Sequence, residues 1–121
     1  MPTMKAIQLR APGGPEVLEL VERPLPEPGP GQVRVRARAI GAGGPDVLIR
    51  NGTYKWMPPM PAVPGNEMAG EIDAVGPGVD PARVGQRVLV SARELPQRGG
   101  CYAEAICVPA EAPFVLPETL A

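Results

Sequence analysis

Val33-Arg34-Val35-Arg36-Ala37-Arg38-Ala39 is the most regular stretch of this 121-residue chain. Its period is two. Val33, Val35, Ala37 and Ala39 fall on one face, and Arg34, Arg36 and Arg38 fall on the other. That is the pattern of a β-strand with one buried side and one wet side. The three arginines admit two readings, an anion-binding stripe or a solvated strand face. The second is preferred, because positive charge along an exposed strand discourages pairing with other chains.

On either side of this strand the chain is punctuated by turns. Upstream, residues 4–10 and 17–22 read as strands, separated by Ala11-Pro12-Gly13-Gly14-Pro15. Residues 24–31, rich in proline and glycine, cannot continue a ladder. Downstream, Gly41-Ala42-Gly43-Gly44 leads into Pro45-Asp46-Val47-Leu48-Ile49-Arg50. Proline at a first helical position and aspartate near the positive end of the helix dipole predict one short helix there. Residues 51–64 hold Pro58, Pro59, Pro61 and Pro64 and read as a loop. Residues 67–75, 87–91, 102–108 and 114–116 complete the strand set. The expected fold is mainly β and antiparallel, with one or two short helices, and closure toward a barrel would hide its edge strands.

The composition agrees. Eighteen prolines and 15 glycines, against one Trp, two Tyr and one Phe, argue for short strands and many turns rather than long helices. A formal net charge of −1 gives no reason to expect nucleic acid or an anionic membrane as partner. No run approaches the roughly 18 apolar residues of a membrane helix. No secretory leader is visible at the N-terminus, so a cytoplasmic home is expected. If Cys101 and Cys107 share one strand they lie roughly 20 Å apart, too far for a disulfide. Two free thiols suit a reducing compartment.

The run Pro64-Gly65-Asn66-Glu67-Met68-Ala69-Gly70-Glu71-Ile72-Asp73-Ala74-Val75-Gly76, followed by Val84-Gly85-Gln86-Arg87-Val88, resembles the catalytic domain of medium-chain dehydrogenases/reductases. Within that superfamily it is similar to the zinc-free quinone oxidoreductases, the zeta-crystallin branch. Further matching segments are Gly13-Gly14-Pro15-Glu16-Val17-Leu18, Ile49-Arg50-Asn51-Gly52-Thr53-Tyr54 and Gly99-Gly100-Cys101-Tyr102-Ala103-Glu104. The resemblance implies a GroES-like, partly open β-barrel over residues 1–121. In the family a Rossmann cofactor domain follows, and that domain is expected to be absent from this chain.

The resemblance also implies a chemistry. The branch uses NADPH to reduce quinones or the activated double bond of enones, and this chain by itself is expected to bind no cofactor tightly. Zinc-dependent relatives carry a cysteine at the position of Gly43 and a histidine at that of Asn66. This chain has no histidine, so a zinc site is not expected. Tyr54 falls where quinone oxidoreductases place an active-site tyrosine; packing a loop is the equal alternative. Asn66 is implied for catalysis and for cofactor contact, against an equal reading as the amide of the turn after Pro64-Gly65. Gly43 and Asp46 align with cofactor-side positions, although a carboxylate at a helix N-terminus is the preferred reading of Asp46. Glu67 is read as an anchor for Arg50 or Arg87. The glycine-rich Gly41–Gly44 run lacks the G-x-G-x-x-G spacing of a dinucleotide site.

The expected function is the substrate-side domain of a quinone or enone reductase, inactive alone. The alternative is a non-catalytic GroES-like interaction module or a partner-dependent subunit. A missing docking partner would leave apolar surface exposed, so self-association is also expected.

Overall fold

The computed structural model describes residues 2–120. In chain order the strands are β1 (Thr3–Gln8), β2 (Glu19–Pro24), β3 (Gln32–Gly41), β4 (Glu67–Val75), β5 (Arg87–Ser91), β6 (Ala105–Pro109) and β7 (Phe114–Val115), with one α-helix, α1 (Gly44–Asn51), between β3 and β4. The alternating stretch lies inside β3, the longest strand, which takes β4 on one side and β6 on the other. The main sheet runs β6-β3-β4-β5-β7, and every pairing is antiparallel. β1 and β2 form a separate hairpin, joined to the rest through an Ala6–Ala103 bridge. The sheets do not close on each other, so the barrel is partly open, as expected. Among the described residues no helix is long and apolar enough to cross a membrane.

Alternation places the core. Val33 and Val35 are fully buried and pack with Met68 and Ile72 of β4, Val88 and Val90 of β5 and Val108 of β6. Full burial of each such side chain stabilises the fold by about 1.5–3 kcal/mol. The pattern does not hold to its end. Ala37 pairs with Gly70 and Ala39 with Ala69, so Arg38 is one residue too many and a bulge forms. Pairing with β6 also ends at Arg36. Ala39 is therefore exposed rather than buried.

The wet face of β3 is neither bare nor an anion stripe. A second irregularity faces Asp73 toward Arg34 and Arg36, whose Nε atoms donate to its two oxygens at 2.8 and 3.0 Å. Arg38 donates to Glu71 at 3.2 Å. The arginines are matched to acids on β4, a cross-strand ladder of opposite charges.

Several boundaries differ from expectation, among them that of β1, which ends at Gln8 rather than residue 10. Residues 15–17 form a 3-10 turn, which delays β2 to Glu19–Pro24. β6 begins at Ala105, so Cys101 lies outside it and the two cysteines do not share a strand; both are nevertheless free. The proline-rich loop of residues 52–66 is fastened by mutual Leu9 and Ala62 N–H···O=C bonds of 2.9 Å.

Candidate functional site

The first turn of α1 organises the site. Gly43 precedes the helix with extended backbone, and Asp46 turns its carboxylate back so that Oδ2 accepts the Gly43 N–H at 2.9 Å. This is the carboxylate half of a capping box; glycine has no side chain to supply the other half. At the far end Gly52 adopts φ 85°, and the N–H groups of Thr53 and Tyr54 close on the Leu48 carbonyl.

Asp46 is the one charged residue buried among the described residues, with 5% of its surface exposed. Its Oδ1 accepts the Gly65 N–H at 3.1 Å, and Oδ2 also accepts the Tyr102 phenol at 3.0 Å. Three donors offset the cost of burying the charge. The fit demands glycine at position 65. Its φ is +111°, and a Cβ there would run into the Tyr102 backbone nitrogen. Tyr102 N–H in turn bonds the Pro64 carbonyl at 2.9 Å.

Burial, then the hydrogen bond to Asp46 and its charge, push the Tyr102 phenol up from 10.0 to about 12. Burial, with smaller contributions from the charges of Asp46 and Glu67, pushes the Cys101 thiol from 9.0 to about 12. Both groups keep their protons at neutral pH, and Cys101 is no nucleophile there.

Asn66 follows directly on this clamp. Its main-chain carbonyl accepts the Ala92 N–H at 2.7 Å, tying the turn to the end of β5. Its side-chain Oδ1 is buried and has no hydrogen-bond partner, alone in this among the described residues. A buried acceptor without a donor is costly and is a place for a donor from outside. Such an atom fits a group that presents an N–H, as a carboxamide does. Among the described residues no three His, Cys, Asp or Glu side chains stand together as candidate metal ligands.

Tyr54 stands in a second group. Its hydroxyl oxygen accepts a long hydrogen bond of 3.4 Å from Arg98 Nη1, and its ring meets Trp56 edge-on with 5.6 Å between centroids. Arg98 also lies 4.6 Å from the centre of the Trp56 ring. The structure thus joins Gly43 and Asp46, at the start of α1, to Gly65, the residue before Asn66. No side-chain hydrogen bond joins Tyr54 to them.

Glu67 anchors neither arginine. Arg50 donates to the Gly13 carbonyl at 2.8 Å, and Arg87 to the carbonyls of Pro117 and Leu120, so both are spent on backbone. Tyr102, Trp56 and Arg98 were not legible as site residues. Tyr102 lies within a segment that carries the resemblance, but no local spacing links it to Asp46.

The partly open antiparallel barrel is of the kind that medium-chain dehydrogenases/reductases use as their catalytic domain. Residues 29–118 match the family model of the alcohol dehydrogenase GroES-like domain, and the chain belongs to that family. It is 39% identical over 121 residues to the synaptic vesicle membrane protein VAT-1 homolog of Rattus norvegicus, covering 98% of this chain and 29% of that protein. It is 37% identical over 118 residues to the quinone oxidoreductase of the same animal, covering 97% and 35%. The structure of Escherichia coli quinone oxidoreductase complexed with NADPH superposes with a TM-score of 0.83 at 32% identity, over 97% of this chain and 34% of that one. The chain spans about a third of the length of these relatives.

Proposed function

We propose that the chain forms the substrate side of an NADPH-dependent, zinc-independent reductase of quinones or enones. The observation that carries this reading is the unpartnered Asn66 Oδ1, buried beside a clamp that fixes the turn it leaves. The E. coli quinone oxidoreductase, solved with NADPH, supports the choice of cofactor.

When bound, the nicotinamide supplies the hydride, and a Rossmann domain in the same polypeptide or a separate one holds it. Asn66 Oδ1 would accept the N–H of the nicotinamide carboxamide. Gly43 leaves open space at the helix start, where a Cβ would meet only Pro45 Cδ at 3.6 Å. Asp46 has its oxygens committed to three donors, so its share in cofactor binding is to hold Gly43 and Gly65 in place. Arg98 donates to the Tyr54 oxygen, which leaves the phenolic proton free for the substrate carbonyl. That hydrogen bond would stabilise negative charge developing on the substrate oxygen. The chain alone is expected to be inactive. The two free thiols support a cytoplasmic home for it.

The test is steady-state reduction of naphthoquinone by the protein together with its Rossmann domain. Asn66→Ala is expected to raise KM for NADPH by about tenfold. Tyr54→Phe is expected to lower kcat by roughly 100-fold and to leave KM for NADPH unchanged. Turnover indifferent to both substitutions would overturn this assignment of roles.

A further inference from the structure

Away from the clamp, Pro58, Pro59, Leu95 and Pro96 wall a cavity of about 380 Å³ into which Trp56, Arg93 and Arg98 also reach. The volume lies within the range of small-molecule sites, roughly 300–1,000 Å³. Arg98 borders a second cleft of about 560 Å³ as well, which extends to Arg23. No Asp or Glu lines either space. Glu94, next to Arg93 in the chain, is exposed and lies outside both linings.

The charge here is unbalanced, unlike that of the arginines on β3. Arg34, Arg36 and Arg38 each face a carboxylate. Among the described residues Arg23, Arg93, Arg98 and Lys55 form no ion pair, although Lys55 Nζ lies 5.2 Å from the Trp56 ring centre and Arg98 lies 4.6 Å from it. Arg98 spends one donor, at 3.4 Å, on Tyr54; Arg23 spends one, at 3.4 Å, on Gln8. The indole is half exposed, at 50%. A role for Arg98 in pinning the loop explains its own position over Trp56. It does not explain why Arg93 lines the same space with no acid to balance it.

We propose that this proline-walled cavity binds a planar aromatic anion, a carboxylate or sulfonate. The ring of the ligand stacks on the exposed surface of Trp56, and its anionic group is paired by Arg98 and Arg93. A guanidinium is suited to this, since its planar fork meets a carboxylate with two parallel hydrogen bonds. The site shares Arg98 with Tyr54, but it needs neither cofactor nor hydride transfer, so it is tested apart from the reading of Asn66.

Trp56 is the sole tryptophan of the chain, so its indole N–H gives one resolved signal in a heteronuclear NMR spectrum. Naphthoate, titrated into this protein, is expected to shift that signal saturably. Naphthylmethanol, the same ring without the charge, should bind about tenfold more weakly, as a lost charge-assisted hydrogen bond implies. Arg98→Gln should weaken naphthoate by a similar factor, whereas Arg38→Gln, on β3 outside the cavity, should not. If Arg98→Gln fails to give a folded spectrum, Arg93→Gln carries the same expectation. Equal affinity for acid and alcohol, or an unsaturable shift at millimolar naphthoate, would overturn the proposal. So would unchanged affinity in the arginine variants.

Discussion

The phenol of Tyr102 donates to Asp46 Oδ2 at 3.0 Å across 56 positions of sequence. With the Gly43 and Gly65 N–H groups on the same carboxylate, one side chain joins α1, the turn before β4 and the segment that enters β6. Tyr102→Phe removes one donor from a buried charge and is expected to cost about 1–3 kcal/mol. Asp46→Ala strands three donors and should cost more. Urea denaturation measures both. A wild-type midpoint in Tyr102→Phe would show that the bond adds nothing to stability.

Alkaline pH should unfold the protein through the same region. Tyr102 titrates at about 12 in the fold against an ordinary 10.0, and Cys101 and Cys107 at about 12 and about 11 against 9.0. Burial leads in each case, and the Arg34 charge partly opposes it at Cys107. Each folded pKa is raised, so the folded state holds more protons than the unfolded state once pH passes the unfolded values. The stability these groups contribute is intact below about pH 9 and is lost progressively from there to about pH 12. Denaturation midpoints across that window should fall steadily; a flat profile would contradict the shifts. At neutral pH both thiols should react slowly with a disulfide reagent until the chain unfolds.

The arginine ladder should be uneven in energy. Asp73 takes two arginines, and the Arg34 side chain is only 12% exposed, with its pKa raised chiefly by the hydrogen bond it donates to Asp73. Asp73→Ala leaves that guanidinium without its main partner and is expected to cost about 1–3 kcal/mol. The Arg38–Glu71 pair is exposed at 71% and 40%, and Arg38→Ala should stay within about 0.5 kcal/mol. Thermal melts of the two variants side by side decide whether position in the ladder matters.

Two glycines of the site should respond in opposite ways. Gly65→Ala meets both a positive φ and the Tyr102 backbone, and is expected to cost roughly 3 kcal/mol or more. Gly43 has extended backbone and open space around it, and it sits at the helix N-cap. Gly43→Asn should therefore stabilise by about a few tenths of a kcal/mol. Similar destabilisation at both positions would mean that the clamp does not discriminate between them.

Self-association should run through the free edge of the main sheet. β7 pairs with β5 on one side only, and Phe114 and Val115 are 51% and 58% exposed beside a partly exposed Leu89. Apolar edge strands recruit further strands. Sedimentation should show concentration-dependent growth that Phe114→Glu suppresses. A strictly monomeric wild type at high concentration would refute this.

What could be read from the sequence alone was local. Period-two alternation made β3 recognisable, because side chains of a strand take opposite faces without help from the rest of the fold. Prolines and glycines set the loops, because their backbone restrictions also act residue by residue. Asn66 and Tyr54 stood out only through resemblance; nothing in spacing predicted that one holds a buried orphan acceptor and the other leans on Trp56 and Arg98. The bulge at Arg38, the pairing of Asp73 with two arginines and the bond from Tyr102 to Asp46 all required strands distant in sequence to become neighbours. Only tertiary structure decides those, since a side chain's partners depend on which segments the sheet sets beside it.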